Sequence, residues 1–191
     1  MRNVVARLAV IVICTALPAT LLAGRANAAN IDGSTLREPK GRAARPPVRK
    51  PQPIDRSGGK RFGKASFYGY RWAGRKMADG RHFNPRADVA ASKTLPLGTV
   101  AKVTNLENGR SALVRVEDRG PFVEGRIIDL TVGTAERLGF REEGVVPVVV
   151  APVAVPQGDG ELKPGAGAAE VSPEAAARAL REAREFELAA R

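Results

Sequence analysis

Cysteine, histidine and tryptophan are scarce in this chain of 191 residues, which contains one of each. The single cysteine, Cys14, lies within an apolar N-terminal run, so a chain cleaved after that run would contain no thiol. We therefore expect no disulfide bond, no thiolate nucleophile and no thiolate metal ligand in the mature protein. Aromatic residues make up only 5% of the sequence, and nearly all of them lie within residues 62–154. This distribution predicts a single domain there with one modest core.

Long hydrophobic runs are also missing, except for residues 8–22 near the N-terminus. Two arginines precede this run, and the small residues Ala26 and Ala28 follow it at the spacing of a cleavage site. We therefore expect residues 1–28 to be a secretory signal peptide and the periplasmic or secreted protein to begin at Ala29. A retained N-terminal anchor is the alternative.

The same run argues against a membrane protein. It is shorter than the roughly 18 apolar residues expected of a membrane-spanning helix, and no other segment approaches that length. Ile13 precedes Cys14, whereas a lipid-modified cysteine would need a small residue before it. We expect neither stable membrane insertion nor a lipoprotein anchor.

Acidic residues are outnumbered, and the formal net charge of the chain is +11. The excess is clearest in residues 29–61, which are rich in lysine, arginine and proline and poor in aliphatic residues. This composition predicts a disordered basic linker. For an exported protein, such a charge favours anionic cell-wall polymers over nucleic acid as the partner. Two alternatives stay open: the linker is basic only for solubility, or it binds anionic lipid or DNA.

Within residues 62–154 the apolar residues recur with a period of two, which predicts short β-strands separated by turns. The Asn-Gly pair at 108–109 lies between two such runs and is typical of a β-hairpin. Only residues 132–139 show a helical pattern, with Thr131 as the N-cap and Gly139 as the terminator. Five or more short strands with one small helix predict a mainly β, compact barrel. The predicted strands are 62–69, 99–106, 111–118, 125–131 and 145–153.

The C-terminal tail, residues 155–191, predicts a helix over 172–191 that begins at the cap Ser172 with proline in its first turn. Its large apolar residues are few, mainly Leu180, Phe186 and Leu188. We expect a solvated, marginal helix, with docking to a partner protein as the alternative.

The stretch RVEDRGPF, residues 115–122, places a carboxylate at the end of a predicted strand. If the alternation continues, Asp118 faces the same side as Val114 and Val116, where partial burial would favour the protonated form that a general acid requires. The neighbouring Arg119 would favour the ionised form instead. The alternative is a structural aspartate that accepts backbone hydrogen bonds in the following Gly-Pro turn.

Six motifs in this region occur together in an order typical of one protein family. They are GKASFYG (63–69), GRKMADG (74–80), AASKTLPLGT (90–99), VTNLENGRS (103–111), VRVEDRGPF (114–122) and GRIIDLT (125–131). Together they resemble the rare lipoprotein A (RlpA) family of double-psi β-barrels. Because six ordered motifs carry it, the resemblance is specific.

The resemblance implies a six-stranded double-psi β-barrel with a polysaccharide-binding groove. It implies an endolytic lytic transglycosylase that cleaves the β-1,4 bond between N-acetylmuramic acid and N-acetylglucosamine in peptidoglycan. A carboxylic acid would protonate the leaving oxygen, and the muramic hydroxymethyl group would attack the anomeric carbon. Strands lacking stem peptides would be preferred, and the role would be cell-wall remodelling or septation. The resemblance further implies a monomer without metal or organic cofactor that binds peptidoglycan glycan strands, with cell-division or envelope proteins as further candidate partners.

Asp118 matches the aspartate of the family's Asp-Arg-Gly-Pro motif, so the resemblance implies a catalytic role for it. Two positions depart from the family pattern: Arg81 stands where Ala-Asn-Gly-Glu would supply an acid, and Ser92 stands where many members have histidine. The remaining auxiliary candidates near these positions are Asp79, His82 and Arg119. Because an arginine suits an anionic ligand better than acid catalysis, a barrel that binds glycan without cutting it is the alternative function.

Aromatic residues near the first predicted strand are candidates for stacking on sugar rings, because the few aromatics of this chain cluster there. We predict this role for Tyr68, Tyr70 and Trp72. Phe67 alternates with Ser66 and Tyr68, so we expect it to belong to the core.

Overall fold

The computed structural model describes residues 52–190, so the predicted signal peptide and most of the predicted linker lie outside the described residues. Seven strands and two α-helices follow one another along this part of the chain. They are β1 (Arg61–Tyr68), β2 (Val89–Ser92), β3 (Val100–Asn105), β4 (Ser111–Asp118), β5 (Arg126–Thr131), α1 (Val132–Leu138), β6 (Val146–Pro156), β7 (Leu162–Pro164) and α2 (Pro173–Ala189).

Six of the strands close into a ring in the order β1-β5-β2-β4-β3-β6, because β1 pairs with both β5 and β6. Two neighbouring pairs are parallel, β1 with β5 and β2 with β4, and the other pairs in the ring are antiparallel. The short strand β7 extends the sheet beyond β6. This arrangement confirms the predicted mainly β fold with a six-stranded barrel and one short helix, and it adds β7.

The barrel core consists of aliphatic side chains that alternate along the strands. Val114 and Val116 of β4, together with Ile128 of β5, are completely or almost completely buried. Fully burying each such side chain stabilises the fold by about 1.5–3 kcal/mol. Phe67 packs edge-to-face on Phe140 at a ring-centroid distance of 5.9 Å, as expected of a core residue.

Local turn and cap signals also agree with the structure. The Asn-Gly pair lies in the connection between the antiparallel strands β3 and β4, and Gly109 has a φ of 72° that a side chain would disfavour. The hydroxyl of Thr131 accepts a hydrogen bond from the backbone N–H of Thr134, and Gly139 ends α1 in the left-handed conformation.

Two segments differ from the prediction. β2 was not predicted, because all four of its residues are buried and a strand without polar positions shows no alternation. The end of the predicted linker, residues 52–60, lies against the barrel. The backbone N–H of Asp55 donates to the carbonyl of Thr94 at 2.7 Å, and the carbonyl of Gly58 accepts from Ala166 at 2.9 Å.

The prediction of a solvated C-terminal helix was wrong, because α2 packs on the barrel. The helix begins at the predicted cap, Ser172, whose hydroxyl accepts from Ala175 N–H at 3.2 Å. Two alanines on one face of the helix, Ala179 and Ala183, are buried in a cluster with residues of β3 and β6. Small side chains bring the helix close to the sheet, so counting large apolar residues underestimates its buried face. No helix within residues 52–190 is long and apolar enough to span a bilayer.

Candidate active site

Two aspartates lie on neighbouring positions of the barrel, separated by one small residue. Strand pairing places Ser66 of β1 beside Asp129 of β5, Asp129 beside Ala91 of β2, and Ala91 beside Asp118 of β4. Paired residues on adjacent strands share a face of the sheet, and the strands are about 4.8 Å apart. The two aspartates therefore flank Ala91, which is completely buried.

Asp118 uses its two carboxylate oxygens differently. Oδ1 accepts hydrogen bonds from the backbone N–H groups of Ala78 at 2.9 Å and Arg119 at 2.8 Å. Oδ2 lies 3.5 Å from the hydroxyl of Tyr68, which donates to it. Asp118 is half-buried. One oxygen thus performs the structural role considered from the sequence, while the other faces a tyrosine that was predicted to contact glycan.

Asp129 occupies a more enclosed position. The hydroxyl of Ser66 donates to Asp129 Oδ1, and Arg126 donates in turn to the Ser66 hydroxyl at 2.8 Å. Burial raises the pKa of Asp129, while the Ser66 hydrogen bond and the charges of Arg126 and Lys93 partly counteract that rise. Asp118 adds to the rise through its negative charge. A carboxyl group that keeps its proton to higher pH is suited to act as a general acid.

Tyr68 connects the two aspartates electrostatically. Burial raises the pKa of its phenol, and the negative charges of Asp118 and Asp129 raise it further. The phenol therefore stays protonated and acts as a hydrogen-bond donor. Its ring meets Trp72 edge-to-face at 5.8 Å and Phe83 at 5.4 Å. A small cleft of about 160 Å³ lies between these rings and Asp118.

The other two predicted glycan-binding aromatics differ in exposure. Tyr70 is 51% exposed and presents its ring to solvent. Trp72 is half-buried, and the guanidinium groups of Arg75 and Arg71 lie 4.7 Å and 5.9 Å from its ring centroid. Cations already cover Trp72, so Tyr70 is the more accessible stacking surface.

Asp79 and Arg81 belong to an ion-pair cluster beside the two aspartates. The side chains of Asp79 and Glu117 are each only 3% exposed, and Arg81 approaches them at 3.7 Å and 3.5 Å. Arg115 donates to the same Glu117 oxygen at 2.6 Å. Asp79 Oδ1 accepts from the backbone N–H of Arg81, whereas its buried Oδ2 accepts no hydrogen bond among the described residues. Asp79 therefore supports its own loop.

The side chains of the remaining auxiliary candidates, Ser92, Arg119 and His82, do not face Asp118 as proton donors. The Ser92 side chain is buried, and its hydroxyl accepts from the N–H of Leu95 at 3.3 Å. Arg119 donates to the carbonyls of Ser92 at 3.1 Å and Leu95 at 2.6 Å, and so fixes the loop after β2. His82 is exposed and pairs through its backbone with Lys76. The structure does not place His82 or Ser92 beside Asp118 as a proton donor.

A second, larger cleft of about 610 Å³ is lined in part by Arg126 and Ile127 of β5. Its lining includes the cations Arg61, Lys93 and Arg126, and the acid Glu124. Arg61 forms an ion pair with Asp55. Arg126 Nε is buried without a hydrogen-bond partner among the described residues. Two of these cations, Lys93 and Arg126, also interact electrostatically with Asp129.

Comparison with known proteins shows which proteins the barrel resembles. Residues 61–150 match the family model described as "Lytic transglycolase". The "Probable endolytic peptidoglycan transglycosylase RlpA" of Nostoc sp. is 50% identical over 115 residues, which are 59% of this chain and 31% of that protein. The barrel is similar to RlpA proteins over this region. The RlpA of Campylobacter jejuni, named an endolytic peptidoglycan transglycosylase, is 50% identical over 86 residues, 45% of this chain and 31% of that protein.

This chain therefore spans less than a third of the length of either RlpA relative. Among solved structures, the Streptomyces papain inhibitor (SPI) is 26% identical and covers 48% of this chain and 92% of its own, with a TM-score of 0.39. That likeness is too distant to bear on the function of this barrel.

Sequence reasoning missed Asp129 as a site residue, although the RlpA motif GRIIDLT contains it. The position of this acid among apolar residues could have drawn attention to it. Asp129 lies between Ile128 and Leu130 in a strand whose last four residues are buried, and a buried acid in an apolar strand is rare without a partner. Within residues 52–190, no group of three or more His, Cys, Asp or Glu side chains is arranged to hold a metal ion.

Proposed function

We propose that this protein is an endolytic lytic transglycosylase that cleaves the β-1,4 bond between N-acetylmuramic acid and N-acetylglucosamine in peptidoglycan. The observation that carries the proposal is the pair Asp129 and Asp118 on either side of Ala91 in a barrel similar to RlpA proteins. The names of the RlpA relatives support the same activity. The proposed location is the periplasm or the cell exterior.

Asp129 is the proposed general acid. Burial raises the pKa of its carboxyl group, which transfers a proton to the glycosidic oxygen as the bond to the anomeric carbon breaks. The leaving N-acetylglucosamine then carries a free hydroxyl. Ser66 and Arg126 hold the carboxyl in place and stabilise the carboxylate that remains after transfer.

Asp118 is the proposed base. Positive charge develops on the anomeric carbon as the leaving group departs, and a nearby carboxylate stabilises it. The muramic C6 hydroxyl attacks that carbon, and its proton passes to Asp118, which closes the 1,6-anhydro ring without water. Two backbone N–H groups fix Oδ1, so Oδ2, which faces Tyr68, is the oxygen available to take the proton.

The cationic cleft supports a preference for strands that lack stem peptides. A muramic residue without its peptide ends in a free lactyl carboxylate, whereas an attached peptide converts that group to an amide. The charges of Lys93 and Arg126 partly counteract the raised pKa of Asp129, so these cations would also attract a carboxylate on the sugar being cleaved. Such strands would arise during wall remodelling or septation.

Mass spectrometry of purified peptide-free glycan strands incubated with the mature protein tests this function. We expect products that end in 1,6-anhydro-muramic acid, and slower cleavage of strands whose lactyl carboxylates have been converted to methylamides. Reducing ends would indicate hydrolysis instead. An unchanged digest would contradict the enzymatic proposal.

A glycan-binding barrel without activity is the second candidate function. It is favoured by the cluster around Arg81, which places a cation where the family motif has an acid, and by the buried Ser92. Retention of strands on the immobilised protein, with no anhydro product, would support this function over catalysis.

A further inference from the structure

The last turns of α2 lie on the barrel close to the candidate site. Phe186 is only 5% exposed and covers Gly98, where an added Cβ would lie 2.6 Å from the ring atom Cδ1. The backbone N–H of Gly98 donates to the carbonyl of Val116 in β4, two residues before Asp118. The helix therefore contacts the part of the barrel that carries the proposed base.

Two arginines of the ion-pair cluster also contact the ring of Phe186. The guanidinium of Arg81 lies 5.1 Å from the ring centroid, and that of Arg115 lies 5.8 Å away. Both arginines pair with the buried carboxylate of Glu117. A guanidinium over an aromatic face is stabilised by the ring quadrupole, more strongly where water is excluded. The position of Arg81 is thus fixed both by its acidic partners and by the ring of Phe186.

Arg81 closes the loop that supplies a hydrogen bond to Asp118. The backbone N–H of Met77 donates to the carbonyl of Arg81 at 2.8 Å, and Gly80 N–H donates back to Met77 at 3.1 Å. Ala78, inside this closed turn, donates its N–H to Asp118 Oδ1 at 2.9 Å. A displacement of Arg81 would therefore move the donor that orients the carboxylate.

We infer that α2 is an internal brace for the candidate active site, with Phe186 as a positioning residue that acts through Arg81 and the Ala78 turn on Asp118. The helix lies beyond residues 61–150, the part that matches the family model, so the brace is a property of this chain's own tail. In this chain an arginine held by an aromatic ring fixes the loop. The effect on catalysis rests on the proposed function, whereas the effect on the loop does not.

The brace is tested with Phe186→Leu, which keeps an apolar side chain over Gly98 but removes the ring under the guanidinium groups. Leu180→Ala on the same helix is the matched control, since Leu180 packs in the cluster that joins the helix to Val100 of the barrel. The first readout is the amide resonance of Ala78 in ¹H-¹⁵N NMR spectra of the full mature chain. The second is the rate of anhydro-product formation, divided into kcat and KM.

We expect Phe186→Leu to shift the Ala78 amide resonance and to lower kcat roughly tenfold or more with little change in KM, because a small misplacement of a catalytic group is costly. Leu180→Ala should lower Tm without moving that resonance. Arg81→Gln should reproduce the Phe186→Leu shift, and the double variant should be no worse than either single change.

A Phe186→Leu protein with lower Tm but an unchanged Ala78 resonance would overturn the brace. Additive effects of Phe186→Leu and Arg81→Gln would also overturn it, since the two residues would then act separately. If Phe186→Leu does not fold, the Ala78 amide resonance of Arg81→Gln tests the brace instead. A wild-type protein that cuts no strand would contradict the proposed function, and the resonance test would still decide the brace.

Discussion

Asp118 and Asp129 show how two identical side chains acquire different chemistry from their surroundings. Asp129 is buried among aliphatic strand residues, with one hydroxyl donor from Ser66. Asp118 is half-exposed at a strand end, with two backbone N–H groups on a single oxygen. Burial raises the pKa of Asp129, whereas the backbone hydrogen bonds of Asp118 fix the orientation of its carboxylate. This difference supports the proposed roles of Asp129 as the acid and Asp118 as the base.

Replacing Asp129 with asparagine should remove activity and preserve the fold. We expect the rate of anhydro-product formation to fall about a hundredfold or more, as for a lost general acid. Asparagine Oδ1 can still accept the hydrogen bond from Ser66. Mass spectrometry of the digest gives the rate, and circular dichroism gives the fold. An active Asp129→Asn protein would rule out this residue as the acid.

The raised pKa of Asp129 predicts that the stability of the folded protein depends on pH, and Asp129→Asn tests this. Burial raises the pKa of Asp129 above its ordinary value of 3.8, so the folded protein binds more protons than the unfolded chain between the two pKa values. The contribution of Asp129 to stability therefore falls as pH rises through that window. The Tm of Asp129→Asn relative to wild type should rise as the pH increases from about 4 towards neutrality. A constant difference in Tm would contradict the raised pKa.

Asp118 has a structural role and a proposed chemical one, and two substitutions separate them. Asp118→Asn keeps an acceptor for Ala78 and Arg119, so Tm should change little while activity falls about a hundredfold. Asp118→Ala removes the acceptor as well and should cost about 2 kcal/mol more in stability, on the order of two hydrogen bonds. Thermal denaturation and product analysis check both effects. Full activity in Asp118→Asn would leave Asp118 as a turn residue alone.

At the scale of elements, the site depends on contacts between parts of the chain that are distant in sequence. β2 lies between β4 and β5 and brings Ala91 between the two aspartates. α2 returns to the barrel and places Phe186 against Gly98. Neither element was predicted in this role. β2 shows no polar alternation, and the buried face of α2 is formed mainly by alanines, which pattern analysis does not count as a core.

A glycine substitution tests the docking of α2 directly. Gly98→Ala must accommodate a Cβ 2.6 Å from Phe186, at a φ of 84°. Gly109→Ala is the matched control, because Gly109 has a φ of 72° with nothing within 4 Å of its Cβ. Both variants incur the left-handed backbone strain of about 1–2 kcal/mol, and only Gly98→Ala displaces the ring. Its Tm should therefore be the lower of the two, and equal Tm values would argue against tight docking.

At the scale of the whole molecule, sequence patterns predicted the barrel better than its site. Five strands, the Thr131 cap and the hairpin turn follow from local rules that depend on a few neighbouring residues. The contacts of Arg81 do not, since Glu117 and Phe186 approach it from other parts of the chain. Motif matching singled out Asp118 as a candidate site residue. Asp129 became a candidate through its burial and the hydrogen bond that it accepts from Ser66.

The basic charge of the chain supports a proposal about wall binding. Residues 37–50 contain six lysines and arginines and one acid, and they precede the described barrel. We propose that this segment attracts anionic wall polymers and so concentrates the enzyme on its substrate. A solubility role is the competing explanation, and it predicts no effect of the segment on wall affinity.

Replacing the six lysines and arginines of residues 37–50 with glutamine in the full chain separates these explanations. We expect the variant to cosediment more weakly than wild type with purified sacculi that carry anionic polymers at low salt. The difference should disappear near 1 M salt, where the Debye length is about 3 Å. The rate on short soluble strands should be unchanged, because the barrel and its two aspartates are unaltered. Equal cosedimentation of both proteins at every salt concentration would leave solubility as the role of the charge.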